Sequence, residues 1–253
     1  MKKEWFAGWF DSPFYHILYQ NYNEKDAQDF LDNLLHHLTP LNNEHNEAQN
    51  SKPRVLDLAC GKGRHSIYMA SKGFDVTGLD LSKKSIKYAQ KFESDYLSFF
   101  EHDMRHPFRI NYFDFIFNIF TSFGYFEKET DNLKSLINVR NGLKQDGIFI
   151  LDYFNSAWVR ATMKPDYIQT SGGIDFHIKK RITDDGHIIK EIEFESEGKE
   201  YRFQEKVRLF TEGEFDKLFD DAGLKIIQKF GDYNLNSFDI NSSNRLIIKA
   251  IRK

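Results

Sequence analysis

The chain has little of several things, and each shortage excludes a class of protein. Its 253 residues include one cysteine, Cys60. A single thiol builds neither an intramolecular disulfide framework nor a cysteine-rich zinc site, which fits a reducing compartment. Long apolar runs are missing as well. No segment reaches the ~18 uninterrupted apolar residues of a membrane helix, because Asp, Asn or Gly breaks the stretches Phe113–Phe126 and Ile148–Phe154. The N-terminus is aromatic (Trp5, Phe6, Trp9, Phe10), but Glu4 and Asp11 interrupt it. Without an apolar core and a small-residue cleavage site it does not read as a signal peptide. Charge of one sign is also scarce. With 35 Lys and Arg against 38 Asp and Glu, the formal charge is −3, not the electropositive footprint of a general nucleic-acid binder. These absences set the expectation of a cytoplasmic protein with no membrane span.

What is present is aromatic and periodic. Phe, Tyr and Trp make up 16% of the chain, which argues against disorder. Ser12-Pro13 reads as an N-cap with a first-turn proline, opening a short helix through Tyr15 and Tyr19. Ala27, Phe30, Leu31, Leu34, Leu35 and Leu38 recur at helical spacing. Thr39 to Lys52 is polar and aperiodic, a surface loop. From Arg54 to Phe154, five short apolar strands alternate with helices, the rhythm of a parallel sheet covered on both faces. Gly173–Arg181, Ile188–Glu195 and Tyr201–Phe210 then alternate apolar with polar residues, the mark of a three-stranded antiparallel meander. A helix opened by Thr211 and Glu214 follows, and then strands at Leu224–Phe230 and Arg245–Ile251. The expectation is one domain over 1–253, with a helical lid at 1–50 and a β insertion at 165–210.

The informative stretch is Val55-Leu-Asp57-Leu-Ala59-Cys-Gly61-Lys-Gly63-Arg64-His65. A buried strand runs into a glycine-rich turn and then a helix, and in open α/β sheets ligands sit at such strand ends. About twenty residues on, the second strand ends in Asp80, placed to accept hydrogen bonds from two ribose hydroxyls. Asp103 follows the third strand, where an acid can meet the exocyclic amine of adenine. A dinucleotide fingerprint needs a third glycine where Ser66 stands, and a phosphate-binding P-loop is absent. Asp57 beside the turn repels phosphate but suits an α-amino group. Ribose, adenine and an amino-acid tail together describe S-adenosylmethionine.

On these residues the chain resembles the class I S-adenosylmethionine-dependent methyltransferases. The glycine motif, Gly78-Leu-Asp80-Leu81-Ser82, His102-Asp103-Met104, Phe113-Asp-Phe-Ile-Phe-Asn118 and Gly142-Leu-Lys-Gln-Asp-Gly147 match that family's motifs in order and spacing. The resemblance implies a doubly wound, mostly parallel seven-stranded sheet with a reversed terminal strand. It implies that Asp57, Ala59, Gly61, Gly63 and Arg64 surround the methionine end, and that Asp80 and Leu81 take the ribose and adenine. Asp103 and Met104 would complete the adenine pocket, and Asn118 would lie near the sulfonium. Ala59 departs from the family's usual glycine by one methyl group, which the turn is expected to tolerate.

Methyl transfer mainly requires orientation of the nucleophile and exclusion of water, so no universal catalytic residue is implied. Phe14-Tyr15-His-Ile-Leu-Tyr19-Gln-Asn-Tyr22 resembles the segment covering the cofactor in small-molecule methyltransferases, including sugar N,N-dimethyltransferases. There Tyr15 and Tyr19 would close over the sulfonium, or else simply pack on the main domain. In Phe120-Thr-Ser-Phe-Gly124-Tyr125, Tyr125 stands where sugar-modifying relatives carry an acceptor-side histidine. The β insertion either walls the acceptor pocket or joins two copies as a homodimer. The reading is methyl transfer to N or O of a small molecule, with no metal. Its rivals are a nucleic-acid or protein methyltransferase, a non-catalytic S-adenosylmethionine-binding protein and a Rossmann oxidoreductase. The nucleic-acid enzyme is disfavoured by the missing proline pair after Asn118, while Lys179-Lys-Arg181 keeps it in view.

Overall fold

Strands that are apolar at consecutive positions need cover on both faces, and the centre of the molecule supplies it. A computed structural model describes residues 5–19, 24–38 and 51–253. It begins with helices α1 (Trp5–Phe10), α2 (Pro13–Leu18) and α3 (Glu24–Leu38). The alternating part follows as β1 (Arg54–Leu58), α4 (Arg64–Ser71), β2 (Asp75–Asp80), α5 (Lys83–Ala89), β3 (Leu97–Glu101), β4 (Phe113–Asn118), α6 (Glu129–Gly142) and β5 (Leu143–Phe154). After α7 (Ser156–Thr162) come β6 (Asp166–Ser171), β7 (Ile174–Ile182), β8 (His187–Ser196) and β9 (Lys199–Arg208). Helix α8 (Glu212–Asp221), β10 (Leu224–Phe230) and β11 (Arg245–Arg252) close the chain.

The main sheet has seven strands in the order β10-β11-β5-β4-β1-β2-β3. Strands β1 to β5 pair in parallel, and β11 runs antiparallel to both β5 and β10. This is the doubly wound sheet with a reversed terminal strand that the motifs imply. Side chains alternate between its faces. Val55, Phe115 and Phe117 pack with Phe30, Leu34 and Met69 on one side. Leu56, Ile116 and Phe149 pack with Leu136, Phe215 and Phe219 on the other. Because β1 lies between β4 and β2, the strand order reverses there, and a crevice opens at the carboxyl ends.

Three expectations are corrected. The insertion holds four strands in the order β6-β7-β8-β9, not three, because Asp166–Ser171 pairs along the free edge of β7. Helix α3 is not part of a lid, since its apolar stripe is buried in the main core beside Met69. The helix after Ser82, which the sequence pattern carries to about Glu93, ends at Ala89 and passes into a short 3₁₀ turn, Gln90–Phe92. The expected loop between α3 and β1 falls at 39–50, outside the described residues, as does Tyr22. Helices α1 and α2 do leave the main sheet. Trp9 and Leu18 join Phe176, Ile178, Ile192 and Phe194 of the insertion in a third apolar cluster.

Candidate functional site

The chain leaves β1 through a turn whose backbone is left-handed at Ala59 (φ +66°), Gly61 (φ +56°) and Gly63 (φ +81°). The two glycines do different work. A Cβ on Gly61 would meet nothing within 4 Å, so its backbone is open to a ligand. A Cβ on Gly63 would lie 2.5 Å from the Phe99 ring, so that glycine serves packing. Ala59 occupies a region that costs an L-residue roughly 1–2 kcal/mol. Ala59→Gly should therefore stabilise the protein by about 0.5–1 kcal/mol, once the greater unfolded-state freedom of glycine is subtracted. The gain would appear as a higher urea midpoint at unchanged slope, and an unchanged midpoint would contradict it.

Asp80 organises the next part of the site. Its carboxylate accepts hydrogen bonds from Gly61 N (2.8 Å) and Ser82 N (2.7 Å). Burial raises its pKa against the lowering effect of those two amides. Ser82 Oγ accepts from Ser85 N (3.1 Å), capping α5, and donates to Asp11 Oδ1 at 2.5 Å. The N-terminal segment is thus tied to the Asp80 side of the turn.

A cleft of roughly 200 Å³ opens between these elements. Ala59, Gly61, Asp80, Leu81, Asp103 and Met104 border it, and so do Phe10, Tyr15, His16, Phe120, Ser122 and Tyr125. Phe10 packs edge-on against both Tyr15 (5.0 Å) and Tyr125 (5.5 Å). Six of the ten residues expected around the cofactor therefore meet at one cleft, together with Tyr15 and Tyr125.

The other expected residues lie off its walls. Asp57 is 2% exposed and accepts a hydrogen bond from Ser66 Oγ at 2.6 Å. Burial, reinforced by the charge of Asp80, pushes its pKa up to about 6. Asn118 is buried and donates to Leu58 O at 2.8 Å, while its Oδ1 has no partner among the described residues. Gly63 caps α4, and the Arg64 guanidinium lies on His65. Tyr19 faces the insertion. Its hydroxyl donates to Glu205 (2.7 Å) and accepts from Lys190 Nζ (2.6 Å). Trp9 Nε1 donates to the same Glu205 carboxylate at 2.7 Å.

Several residues of the site escape the motif reading. Arg105 grips both oxygens of Asp103 at 2.6–3.0 Å. Burial works to raise the Asp103 pKa, but these contacts more than offset it and leave it lowered. His16 borders the cleft, and burial, aided by Lys62, lowers its pKa to about 4. It is neutral near physiological pH. The buried Cys60 thiol is pushed up by burial and by the nearby carboxylates of Asp57 and Asp80, which disqualifies it as a nucleophile. Asp11-Ser12-Pro13 was a legible helix start, but nothing local announced Asp11 as the partner of Ser82. Among the described residues no three His, Cys, Asp or Glu side chains are arranged to hold a metal ion.

Comparisons with known proteins agree with this geometry. The methyltransferase domain family matches residues 49–223. The Bacillus subtilis protein YqeM, named as a methyltransferase, is 30% identical over 209 residues, covering 79% of this chain and 84% of the relative. The dTDP-3-amino-3,4,6-trideoxy-alpha-D-glucopyranose N,N-dimethyltransferase of Streptomyces venezuelae is 24% identical over 180 residues, covering 68% and 75%. The structure of an S-adenosylmethionine-dependent methyltransferase from Clostridium acetobutylicum superposes with a TM-score of 0.75 at 21% identity, covering 98% of this chain and 97% of that one.

Proposed function

We infer the function from one premise: this chain belongs to the methyltransferase domain family, and its cofactor is S-adenosylmethionine. The residues present fit that cofactor. The backbone at Gly61 is open where a Cβ would meet nothing. Beside it the Asp80 carboxylate already accepts two amides and has lone pairs left for ribose hydroxyls. Bound S-adenosylmethionine supplies an electrophilic methyl group on a sulfonium.

We propose that the acceptor is the N or O of a small molecule. The carrying observation is that Phe10, Tyr15, His16, Ser122 and Tyr125, most of them aromatic, line the same cleft as the turn residues. Aromatic faces favour a nearby cation, so the same rings suit the sulfonium and the positive charge that develops on a neutral amine nitrogen as its lone pair takes the methyl group and S-adenosylhomocysteine leaves. Tyr15, Tyr125 and the neutral His16 orient the acceptor atom. Orientation within a dry cleft is the main demand of the transfer. The relative from Streptomyces venezuelae, named for an amino-sugar substrate, supports an acceptor of this size.

The insertion serves this cleft as the seat of α1 and α2. On its outer face Arg181 meets Glu191 (3.7 Å) and Arg202 meets Glu193 (3.4 Å).

Titration calorimetry with S-adenosylmethionine, S-adenosylhomocysteine and NAD tests the cofactor site. Binding of the first two without the third is expected, and binding of NAD alone would overturn it. Transfer of a labelled methyl group to small amines and alcohols, but not to RNA or bulk protein, is then expected. The reverse pattern would refute the acceptor class.

A further inference from the structure

Immediately after β4 the chain does something costly. Phe120 (φ +58°) and Thr121 (φ +60°) are both left-handed, and neither is glycine. A β-branched residue in that region is an outlier, and two adjacent bulky residues there need outside support. The support comes from Asp152, a β5 residue with no exposed surface. Its Oδ2 accepts the Phe120 amide at 2.7 Å, and its carbonyl accepts the Thr121 amide at 3.0 Å. Both strained amides therefore end on one residue. Arg245 of β11 completes the clamp. Its Nε donates to Asp152 Oδ1 (2.8 Å), and its terminal nitrogen donates to Thr121 Oγ1 (2.9 Å). Tyr233 donates to Asp152 Oδ2 at 3.3 Å. At the far end of the segment Arg208 N donates to Gly124 O at 2.9 Å. Phe120 and Gly124 at the two anchors, Ser122 between them and Tyr125 just beyond all border the cleft.

We propose that Asp152 and Arg245 are positioning residues for the acceptor side of the cleft, holding residues 119–126 in a backbone shape that segment would not keep alone. The inference rests on the methyl-transfer reading, which makes this wall the acceptor wall. Asp152 bonds to Phe120, Thr121, Tyr233 and Arg245, while Asp80 fixes the turn on the cofactor side separately. The clamp therefore acts first on residues 119–126, which meet the helix after the glycine turn where the Phe120 ring stacks on His65 at 4.6 Å.

Asp152→Asn tests this, read by amide exchange, by calorimetry with S-adenosylhomocysteine and by NMR of ¹³C-tyrosine-labelled protein. Exchange across 119–126 should accelerate roughly tenfold, the scale of one lost charge-assisted hydrogen bond. Affinity for S-adenosylhomocysteine should stay within about twofold, as for an uncoupled site. The Tyr125 ring signal, assigned with Tyr125→Phe, should broaden while that of Tyr68 on α4 stays sharp. Adding Thr121→Gly should recover part of the lost protection, because glycine relieves the strain the clamp opposes. Equal acceleration in β1 and β2, or an affinity that falls in step, would make the pair an ordinary core prop and overturn the proposal. If Asp152→Asn does not fold, Arg245→Lys should loosen the same segment more mildly, and no loosening there would also overturn it. Failure of the unsubstituted protein to bind S-adenosylhomocysteine would sink the methyl-transfer reading but leave the exchange result standing.

Discussion

Asp80→Ala should weaken binding of S-adenosylhomocysteine by about 10- to 150-fold. The estimate comes from about 1.5–3 kcal/mol for hydrogen bonds to a charged acceptor, at 1.4 kcal/mol per tenfold change. Two effects add in the same direction. The substitution removes the acceptor for the ribose hydroxyls, and it frees the amides of Gly61 and Ser82 that now end on the carboxylate. Asp80→Asn separates them. It keeps one oxygen and the side-chain volume, so its affinity should fall between those of the wild type and the alanine variant. Calorimetry at fixed salt measures both. An Asp80→Ala affinity within about threefold of wild type, inside the usual scatter for a neutral change, would remove Asp80 from the site.

The second large effect concerns pH. Asp57 is buried, and its pKa in the fold is raised from 3.8 to about 6. A carboxylate raised by folding is more easily ionised in the unfolded chain. Its ionisation therefore counts against the fold, an effect absent below the unfolded pKa that grows as pH rises through the folded one. A shift of this size corresponds to about 3 kcal/mol. In the absence of ligand, Asp57→Asn should be more stable than wild type by about 2–3 kcal/mol at about pH 8, and the gap should close by about pH 4. The hydrogen bond from Ser66 can persist on the amide oxygen, so packing is conserved. Urea unfolding across pH checks this. A variant that is less stable than wild type at the higher pH would show that partners already compensate the buried charge.

Some of this was legible in the sequence for a simple reason. The turn at Ala59–Gly63, Asp80 and Asp103 lie at successive strand ends, and the spacing of strands along the chain is written locally. The three residues converge because parallel strands present the same end. The acceptor wall follows another logic. Glu205 reaches Tyr19 across 186 positions, and Arg245 reaches Thr121 across 124. No local pattern encodes such pairs. Strand β6 was missed because its alternation is weak and only one of its edges is paired. The apolar stripe of α3 was plain, but periodicity names a buried face without naming what buries it. Tyr19 illustrates the same limit. Its place beside Tyr15 suggested the cleft, yet its hydroxyl finds Glu205 and Lys190 on the insertion.

The contact between the first helices and Glu205 also has an order in time. A ribosome delivers the N-terminal residues first and folds domains as they emerge. Trp9 and Tyr19 leave the exit tunnel long before the carboxylate that receives them is made. Throughout that interval the opening helices lack their seat on the insertion and keep the ties of Asp11 to Ser82 and of Phe10 to Tyr125. A message cut short after β5 would yield a chain with the Asp80 turn and those ties but without the Glu205 seat of α1 and α2. Until the last insertion strand is made, a newborn chain cannot close its cleft from water, however early the Asp80 turn forms.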